Sequence, residues 1–579
     1  MSSPVRLSAS PAPPANDIIS SMPGEVVGII LDHIPELRNL ARLNAVSRRW
    51  RSETTPRLYR TVSVQVTGPE DWDEFLRFLR PHLSNYQLLS LGAGRRNTYQ
   101  SAVRVPDGAS HVRRLFVTGI LKFENRRRES LAIRYVHAAM DNMHSLEGVY
   151  ADMLTNQMTV RMLHLDKLKE VGLWNDEKPI CLESLKLLEN LTYFTLGGDM
   201  ACSNGTIPCI LRKSAKTLKR LQLQPFGGGS WEYTWNRMTR DLSLREEEFP
   251  LLSALKELTL SSVVFEPGLL RVLPKLIDFA SLNELSIKHL CGTERAFINV
   301  VVRSLSQPIR TNFGDLGVQL RSLCLGWLGF AMTTDGPDVM STHDMARLIS
   351  CFDTLIRLEV QNYNQFANPA GYNKLKFYPP LIDAVVKHKN LKVLKFTHTE
   401  WHPNVREIAQ DVKYPKLSDT EVVTFVQNLQ SLEEIYFAPD AKRAWRIGAA
   451  LAAAPNLQYI GCDGAELWLK WEPEWSHRAD PYILLGLAHG VFRKHEKASN
   501  GNQVPFTWEE NTKICSLSIH GTRIHIASSP RIDFFPVPWE VIRRGKTYQV
   551  QYLKKAPEIR PKSVPMFTQD MSDLQVQDC

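Results

Sequence analysis

A single pattern, Leu-x-x-Leu-x-Leu, recurs along most of this chain of 579 residues. Its clear copies begin at Leu168, Leu191, Leu218, Leu255, Leu282, Leu320, Leu355, Leu391, Leu432 and Leu457, and weaker copies begin at Val112 and Leu146. Copies lie 22 to 41 residues apart, with helix-like stretches such as Ile207–Thr217 and Thr420–Gln430 between them. One strand-and-helix unit cannot bury its own apolar face, so the repetition predicts a stack of such units.

The alternation within each copy predicts which side chains face outward. Successive side chains of a strand point to opposite faces, so the two late leucines point into the core and the residues beside them point out. Opposite charges nearly cancel in this outward row, which favours a mixed polar protein partner over a purely acidic or basic one. The row comprises Tyr193, Thr195, Arg220, Gln222, Glu257, Thr259, Glu284, Ser286, Cys324, Arg357, Glu359, Lys395, Glu434, Tyr436, Tyr459 and Asp463.

Residues 20–60 have a different pattern, typical of short helices. Pro23 can begin a helix, because a proline lacks only an N–H group that would be unpaired there. Val26, Val27, Ile29, Ile30 and Ile34 follow at three- and four-residue spacing, which predicts one apolar helical face. Pro35 ends that helix, and a second continues through Leu37, Leu40, Leu43 and Val46, again on one face, into residues 47–50. About forty residues are too few to bury a core alone, so we expect this stretch to complete its core against a partner.

This stretch resembles an F-box, whose pattern is Leu-Pro-x-Glu, an apolar helix, a Leu-rich helix, Val-x-x-x-Trp and a late Leu-Tyr or Leu-Trp. Pro23, Glu25, Val26, Ile29, Ile30, Leu40, Leu43, Val46, Arg48, Trp50, Leu58 and Tyr59 match it. Met22 replaces the leading Leu, Ser47 replaces a frequent Cys, and Pro35 comes slightly early. The alternative is an ordinary helical hairpin.

The F-box resemblance implies binding to the Skp-type adaptor of an SCF ubiquitin ligase and, through the adaptor, to cullin. The residues expected to contact the adaptor are Met22, Pro23, Glu25, Val26, Ile29, Ile30, Leu40, Leu43, Val46 and Trp50.

The recurrent pattern resembles leucine-rich repeats in a degenerate form. The polar Asn or Cys that usually follows the strand is replaced by Val263, Leu290, Leu328, Tyr363 and Thr399. The expected fold is α/β: a short helical F-box, then an irregular horseshoe-shaped solenoid, then a C-terminal cap. The alternative is a compact α/β sheet with ordinary strands.

The expected domains follow from these patterns and from composition. Residues 1–17 and 556–579 are predicted to be disordered, 18–60 to form the F-box, 61–465 the solenoid, and 466–555 a cap that includes a hairpin on either side of Gly521. Trp468, Trp471 and Trp475 would cover the last repeat. Aromatic residues within 225–250, and the loop 362–376, are further candidates for binding.

No motif in the sequence predicts catalysis. His398, Glu400 and His402 lack the His-Glu-x-x-His order of a zinc helix, and neither a Gly-x-Ser-x-Gly elbow nor a Cys-x-x-Cys pair occurs. We therefore expect a non-catalytic protein without cofactor or metal. Nine scattered cysteines without paired spacing are typical of reduced thiols and predict a cytoplasmic or nuclear protein, and no apolar run is long enough to span a membrane. Membrane binding is not expected, and nucleic-acid binding is unsupported because no aromatic platform accompanies the basic residues.

Two functions remain open. In the first, the F-box holds the adaptor and the repeats hold an unknown protein substrate for ubiquitylation. In the second, the chain is a repeat scaffold whose F-box serves assembly or self-turnover. The residues expected to bind substrate are Tyr193, Arg220, Glu257, Glu284, Arg357, Glu359, Lys395 and Tyr436.

Overall fold

The structure is a computed structural model in which the chain forms two compact units, Met1–Trp174 and Asn175–Cys579. No helix in the described part of the chain is long and apolar enough to cross a membrane. The residues that the structure describes are 22–34, 37–65, 72–91, 108–119, 126–152, 155–175, 183–198, 206–224, 251–261, 267–288, 293–306, 317–326, 340–361, 376–397, 416–440, 443–462, 486–487, 490–491, 494, 516–519, 522–525, 539–544 and 547–552.

The first unit begins with three short helices, here called the helical segment (residues 22–59). They are α1 (Gly24–Asp32), α2 (Leu37–Val46) and α3 (Arg48–Leu58). Pro23 immediately precedes α1, as its position in the sequence predicts. The Ser47 hydroxyl accepts a hydrogen bond from the Trp50 backbone N–H at 3.2 Å, which caps the start of α3. The predicted short helices are therefore present.

The helical segment has a small apolar core of its own. Val27 and Leu31 of α1 and Leu40 of α2 are buried together. Arg57 ties α3 to α1, because its guanidinium donates to the Asp32 carboxylate at 2.8 Å and to the Gly28 carbonyl at 3.1 Å. The partly buried residues packed around this core are Met22, Ile34, Leu43, Trp50 and Leu58.

The rest of the first unit alternates strands with helices. Its strands are β1 (Thr61–Gln65), β2 (Arg114–Thr118), β3 (Gly148–Ala151) and β4 (Glu170–Asn175). Its further helices are α4 (Trp72–Leu79), α5 (Asn85–Ser90), α6 (Arg126–Met140) and α7 (Asn156–Leu163). The strands pair in parallel and in chain order. Each strand therefore reaches its neighbour through a helical crossover.

The second unit continues the same alternation in a longer sheet. Its strands are β5 (Tyr193–Gly198), β6 (Arg220–Gln224), β7 (Glu257–Ser261), β8 (Glu284–Lys288), β9 (Ser322–Gly326), β10 (Arg357–Gln361), β11 (Val393–Thr397), β12 (Glu434–Phe437), β13 (Tyr459–Cys462), β14 (Ser516–Ile519) and β15 (Thr522–His525). Its helices are α8 (Thr206–Ser214), α9 (Pro267–Leu276), α10 (Glu294–Ser306), α11 (Thr342–Ser350), α12 (Pro379–Val385), α13 (Asp419–Asn428) and α14 (Ala444–Leu451).

Pairing in the second unit is parallel and sequential from β5 to β14. Among the described strands of this sheet, β15 alone runs antiparallel to its neighbour, as the second strand of the predicted hairpin around Gly521. A separate hairpin joins β16 (Trp539–Arg544) to β17 (Thr547–Tyr552). The described strands do not close into a barrel in either unit, so the fold is an open, largely parallel α/β fold.

All twelve copies of the sequence pattern fall on strands, β2–β4 in the first unit and β5–β13 in the second. Their leucines lie inside; for example, Leu255, Leu258 and Leu260 are all buried. The sheet also extends beyond the last copy, since β14 pairs with β13 although the repeats end near Asp463. The solenoid, its horseshoe curvature and its alternative, a compact sheet, stay predictions.

Candidate functional site

An exposed apolar face lies on the first helix of the helical segment. Val26, Ile29 and Ile30 are all exposed, and the side chain of Ile29 is 60% exposed. Their spacing of three and four residues places them on one side of α1. Val46, the last residue of α2, is 67% exposed. Val26, Ile29 and Ile30, here called the apolar face, are large hydrophobic side chains that the fold of the helical segment leaves exposed.

The opposite side of α1 is apolar as well. Val27 and Leu31, four residues apart, point into the core of the helical segment and are buried. The single apolar face predicted for this helix is therefore wrong in detail, because Val26 and Val27 lie on different sides. A helix that is apolar on both sides is normally buried on both. The helical segment itself covers only one of them.

The structure divides the ten residues expected to contact the adaptor into two groups. Pro23, Glu25, Val26, Ile29, Ile30 and Val46 lie at the surface. Leu40 is buried in the local core, and Met22, Leu43 and Trp50 pack around it. These four anchors support the shape of the helical segment, whereas the surface group is available for contact.

A second candidate surface lies on the sheet of the second unit, where the predicted outward residues come together in two parallel rows. The strand register aligns Tyr193 with Arg220, Glu257, Glu284, Ser322, Arg357, Val393, Glu434 and Tyr459. The next row aligns Thr195 with Gln222, Thr259, Ser286, Cys324, Glu359, Lys395, Tyr436 and Gly461. The two rows together are here called the polar face.

Most charges on the polar face are paired with one another. Arg220 forms an ion pair with Glu257 on the neighbouring strand. Burial acts against the charge of Arg220, but the hydrogen bond from its guanidinium to Glu257 raises the pKa of Arg220 overall. The Lys395 ammonium lies 3.6 Å from the Glu434 carboxylate. Most of the opposite charges on this face therefore neutralise each other locally.

The ion pair of Arg357 and Glu359 lies within one strand. Their side chains are 2.9 Å apart, Glu359 is buried, and its second oxygen accepts a hydrogen bond from Gln361 at 2.7 Å. Replacing Arg357 by Glu would place two carboxylates side by side at a buried position. We therefore expect that variant to lose stability as well as any partner.

Aromatic rings lie near both ends of the polar face, where they contact basic side chains. The Arg220 guanidinium lies 5.4 Å from the centre of the Tyr193 ring, and the Lys395 ammonium lies 4.7 Å from that of Tyr436. Tyr436 in turn contacts Tyr459, with ring centres 4.9 Å apart. Cation–π contacts of this kind hold the long basic side chains against the face.

The polar face is less exposed than its alternation predicts. Of the eight residues expected to bind substrate, Tyr193 and Glu359 are buried, Arg220 is exposed, and the others are half-buried. Thr195 and Ser286 are also buried. Neighbouring strands lie only about 4.8 Å apart, so long side chains of one row cover the short ones beside them.

Several sequence-based candidates lie outside the described residues. They are the aromatic stretch 225–250, most of the loop 362–376, the tryptophans at 468, 471 and 475, Asp463, and the histidines at 398 and 402. Among the residues that are described, no group of His, Cys, Asp or Glu side chains could hold a metal ion.

No protein-family model matches this chain, and no curated protein is significantly similar to it.

Proposed function

We propose that the chain is the substrate-recognition subunit of an SCF-type ubiquitin ligase. In this proposal the helical segment binds a Skp-family adaptor, and the polar face binds a protein substrate. The observation that carries it is the apolar face of Val26, Ile29 and Ile30, which the fold of the helical segment leaves uncovered.

Two features support a partner for this face. The helical segment already has a core, so Ile29 and Ile30 are not needed inside it. Covering a large apolar side chain is favourable by about 1.5–3 kcal/mol, and small groups of such residues dominate many interfaces. The resemblance of residues 22–59 to an F-box favours the adaptor as this partner.

The first test is adaptor binding by Ile29→Asp/Ile30→Asp in the full chain. Two aspartates would place charge where the adaptor must cover apolar surface. We expect roughly 100-fold weaker binding or more, since two lost side chains contribute roughly 3 kcal/mol or more. Binding to a purified Skp-family adaptor is measured by calorimetry. Thermal unfolding should not change, because both positions are exposed.

Leu187→Asp is a matched control, because Leu187 is 61% exposed, close to the value for Ile29, but lies in the second unit. This variant should bind the adaptor as the unchanged chain does. Equal binding by the Ile29/Ile30 variant would contradict adaptor recognition through the apolar face. A ligase subunit must also capture cullin together with the adaptor. If the complex with the adaptor does not recruit cullin, the scaffold function is favoured instead.

A further inference from the structure

One carboxylate on the polar face, that of Glu284, does not take part in an ion pair with any described residue. Glu257, Glu359 and Glu434 each have a basic partner. Glu284 lies between them on β8, and its carboxylate has no hydrogen-bond or ion-pair partner among the described residues. Its neighbours in register are Glu257 and Ser322, neither of which can neutralise it. The polar face therefore has an unmatched negative charge at the centre of the sheet.

Glu284 is also partly removed from water. Burial, together with the nearby charge of Glu257, raises the pKa of Glu284, while Arg220, Arg357 and Lys288 act in the opposite direction at longer range. A half-buried carboxylate without a direct partner destabilises the fold that holds it. A cation placed against Glu284 by another molecule would remove that penalty.

A second polar group without a partner in the described part of the chain, the Ser286 hydroxyl, lies near Glu284. Ser286 is two residues further along β8, so its side chain lies on the same face as that of Glu284. It is 0% exposed, and its hydroxyl oxygen has no hydrogen-bond partner. Buried hydroxyls without a partner are rare in folded proteins. The longer side chains of the neighbouring strands cover Ser286, so its oxygen becomes a second acceptor beside the Glu284 carboxylate only where those side chains move aside.

We propose that Glu284 receives a basic side chain, an arginine above all, from the protein that binds the polar face, and that the side chains covering Ser286 move aside so that its hydroxyl accepts a hydrogen bond from the same group. A planar guanidinium can donate two hydrogen bonds to a carboxylate and still offer a further N–H to a hydroxyl. A divalent cation fits less well, because it requires several oxygen ligands and Glu257 is already paired with Arg220. This inference rests on the proposed function, since it specifies the chemistry of the substrate.

The probe is a pair of synthetic pools of nine-residue peptides. One pool has arginine and the other citrulline at the central position, with four random positions on each side. Citrulline keeps the shape of arginine but carries no charge. Both pools are passed over the immobilised full chain, and the amounts retained are compared. We expect the arginine pool to be retained at least about tenfold more strongly, as befits a charge-assisted hydrogen bond.

Glu284→Gln should remove this preference, and Ser286→Ala should reduce it. Neither change should lower thermal stability, because the first removes an unmatched charge and the second an unpaired hydroxyl. Glu433→Gln is the control, since it removes one carboxylate that pairs with Lys392 instead. The proposal is overturned if the unchanged chain retains both pools equally, or if Glu284→Gln keeps the preference for arginine.

Adaptor binding by the same variants separates this inference from the proposed function. All of them should bind the adaptor normally. Arginine preference without adaptor binding would reject the ligase assignment and leave the Glu284 site intact. Adaptor binding without arginine preference would reject the site alone.

Discussion

At the scale of single residues, the burial of His82 makes the stability of the first unit depend on pH. Its ring is 1% exposed and meets the Tyr59 ring edge-on, with centres 5.4 Å apart. The Nδ1 atom has no hydrogen-bond partner. Burial lowers the pKa of His82 to about 4, so the ring is neutral in the folded protein at ordinary pH. Tyr59 belongs to the helical segment, so this contact connects that segment to the short helical turn Arg80–His82 that follows α4.

We expect the first unit to lose stability as the pH falls from about 6.5 towards 4. In this window the unfolded chain binds a proton at His82 and the folded chain does not, which favours unfolding by about 3 kcal/mol at the acid end. Hydrogen exchange of β1 and α4 as a function of pH measures the effect. His82→Phe should flatten the profile.

His144→Gln is the matched control, because His144 is exposed in the same unit. It should leave the pH profile unchanged. An equally steep acid loss in the His82→Phe variant would show that other groups are responsible.

The burial of single residues can be predicted from the sequence where one regular spacing determines it. The leucines of each repeat alternate with polar residues, so their burial can be predicted without the structure. The ion pair between Arg220 and Glu257 cannot, because 37 residues separate them and only strand register makes them neighbours. Likewise, the inward direction of Val27 rather than Val26 depends on where α2 and α3 pack.

At the scale of elements, two helix starts in the second unit, those of α11 and α13, are held by capping boxes. Before α11, the Asp344 carboxylate accepts hydrogen bonds from the Ser341 N–H at 3.0 Å and the Ser341 hydroxyl at 2.7 Å. The Ser341 oxygen in turn accepts a hydrogen bond from the Asp344 N–H at 3.3 Å. Ser418 and Glu421 form the same arrangement before α13. Each box satisfies backbone donors that the first helical turn leaves unpaired.

Ser341→Ala should destabilise α11 by about 1 kcal/mol or more, because it removes the cap and also one partner of the buried Asp344. Faster hydrogen exchange confined to α11 and its neighbours is the expected readout. Ser350→Ala, at the exposed end of the same helix, is the control and should have no effect. Similar exchange in the two variants would contradict a stabilising role for the box.

Helices and strands could be predicted where the same local sequence pattern recurs along the chain. The helix expected at 207–217 is found at Thr206–Ser214, and the one expected at 420–430 is found at Asp419–Asn428. The attachment of β14 to β13 was not predicted, because more than fifty residues separate the two strands and no Leu-x-x-Leu-x-Leu copy precedes β14.

At the scale of the whole molecule, sequential pairing should keep the effects of damage local. Each parallel strand of the second unit pairs only with its neighbours in the chain. Leu258 is fully buried on β7, and Leu258→Ala would leave a cavity that costs about 2–5 kcal/mol. We expect hydrogen exchange to accelerate most at β6–β8, less towards β13, and not at all in the first unit.

Leu251→Ala is the matched control, because Leu251 undergoes the same change at an exposed position. It should leave the exchange pattern unaltered. Uniform acceleration throughout both units by Leu258→Ala would show that the chain unfolds as one cooperative body.

The whole-molecule prediction from the sequence has a clear limit. A repeated strand-and-helix pattern predicts parallel strands in chain order, and both units have them. The boundary between the compact units after Trp174 was not predicted, because the Leu-x-x-Leu-x-Leu pattern continues across it without interruption.

Constant register along the second unit has a consequence for how such a chain can change over generations. Glu257 lies opposite Arg220, and Glu284 lies opposite Glu257 at the same level of the next strand. Loss of residues 257–283 from the gene would bring Glu284 to the place beside Arg220 that Glu257 now holds. The shortened protein would keep its inward leucines in line and regain a matched Arg–Glu pair. Heritable gain or loss of one complete repeat can therefore alter the length of the surface in a single step without disturbing its pattern.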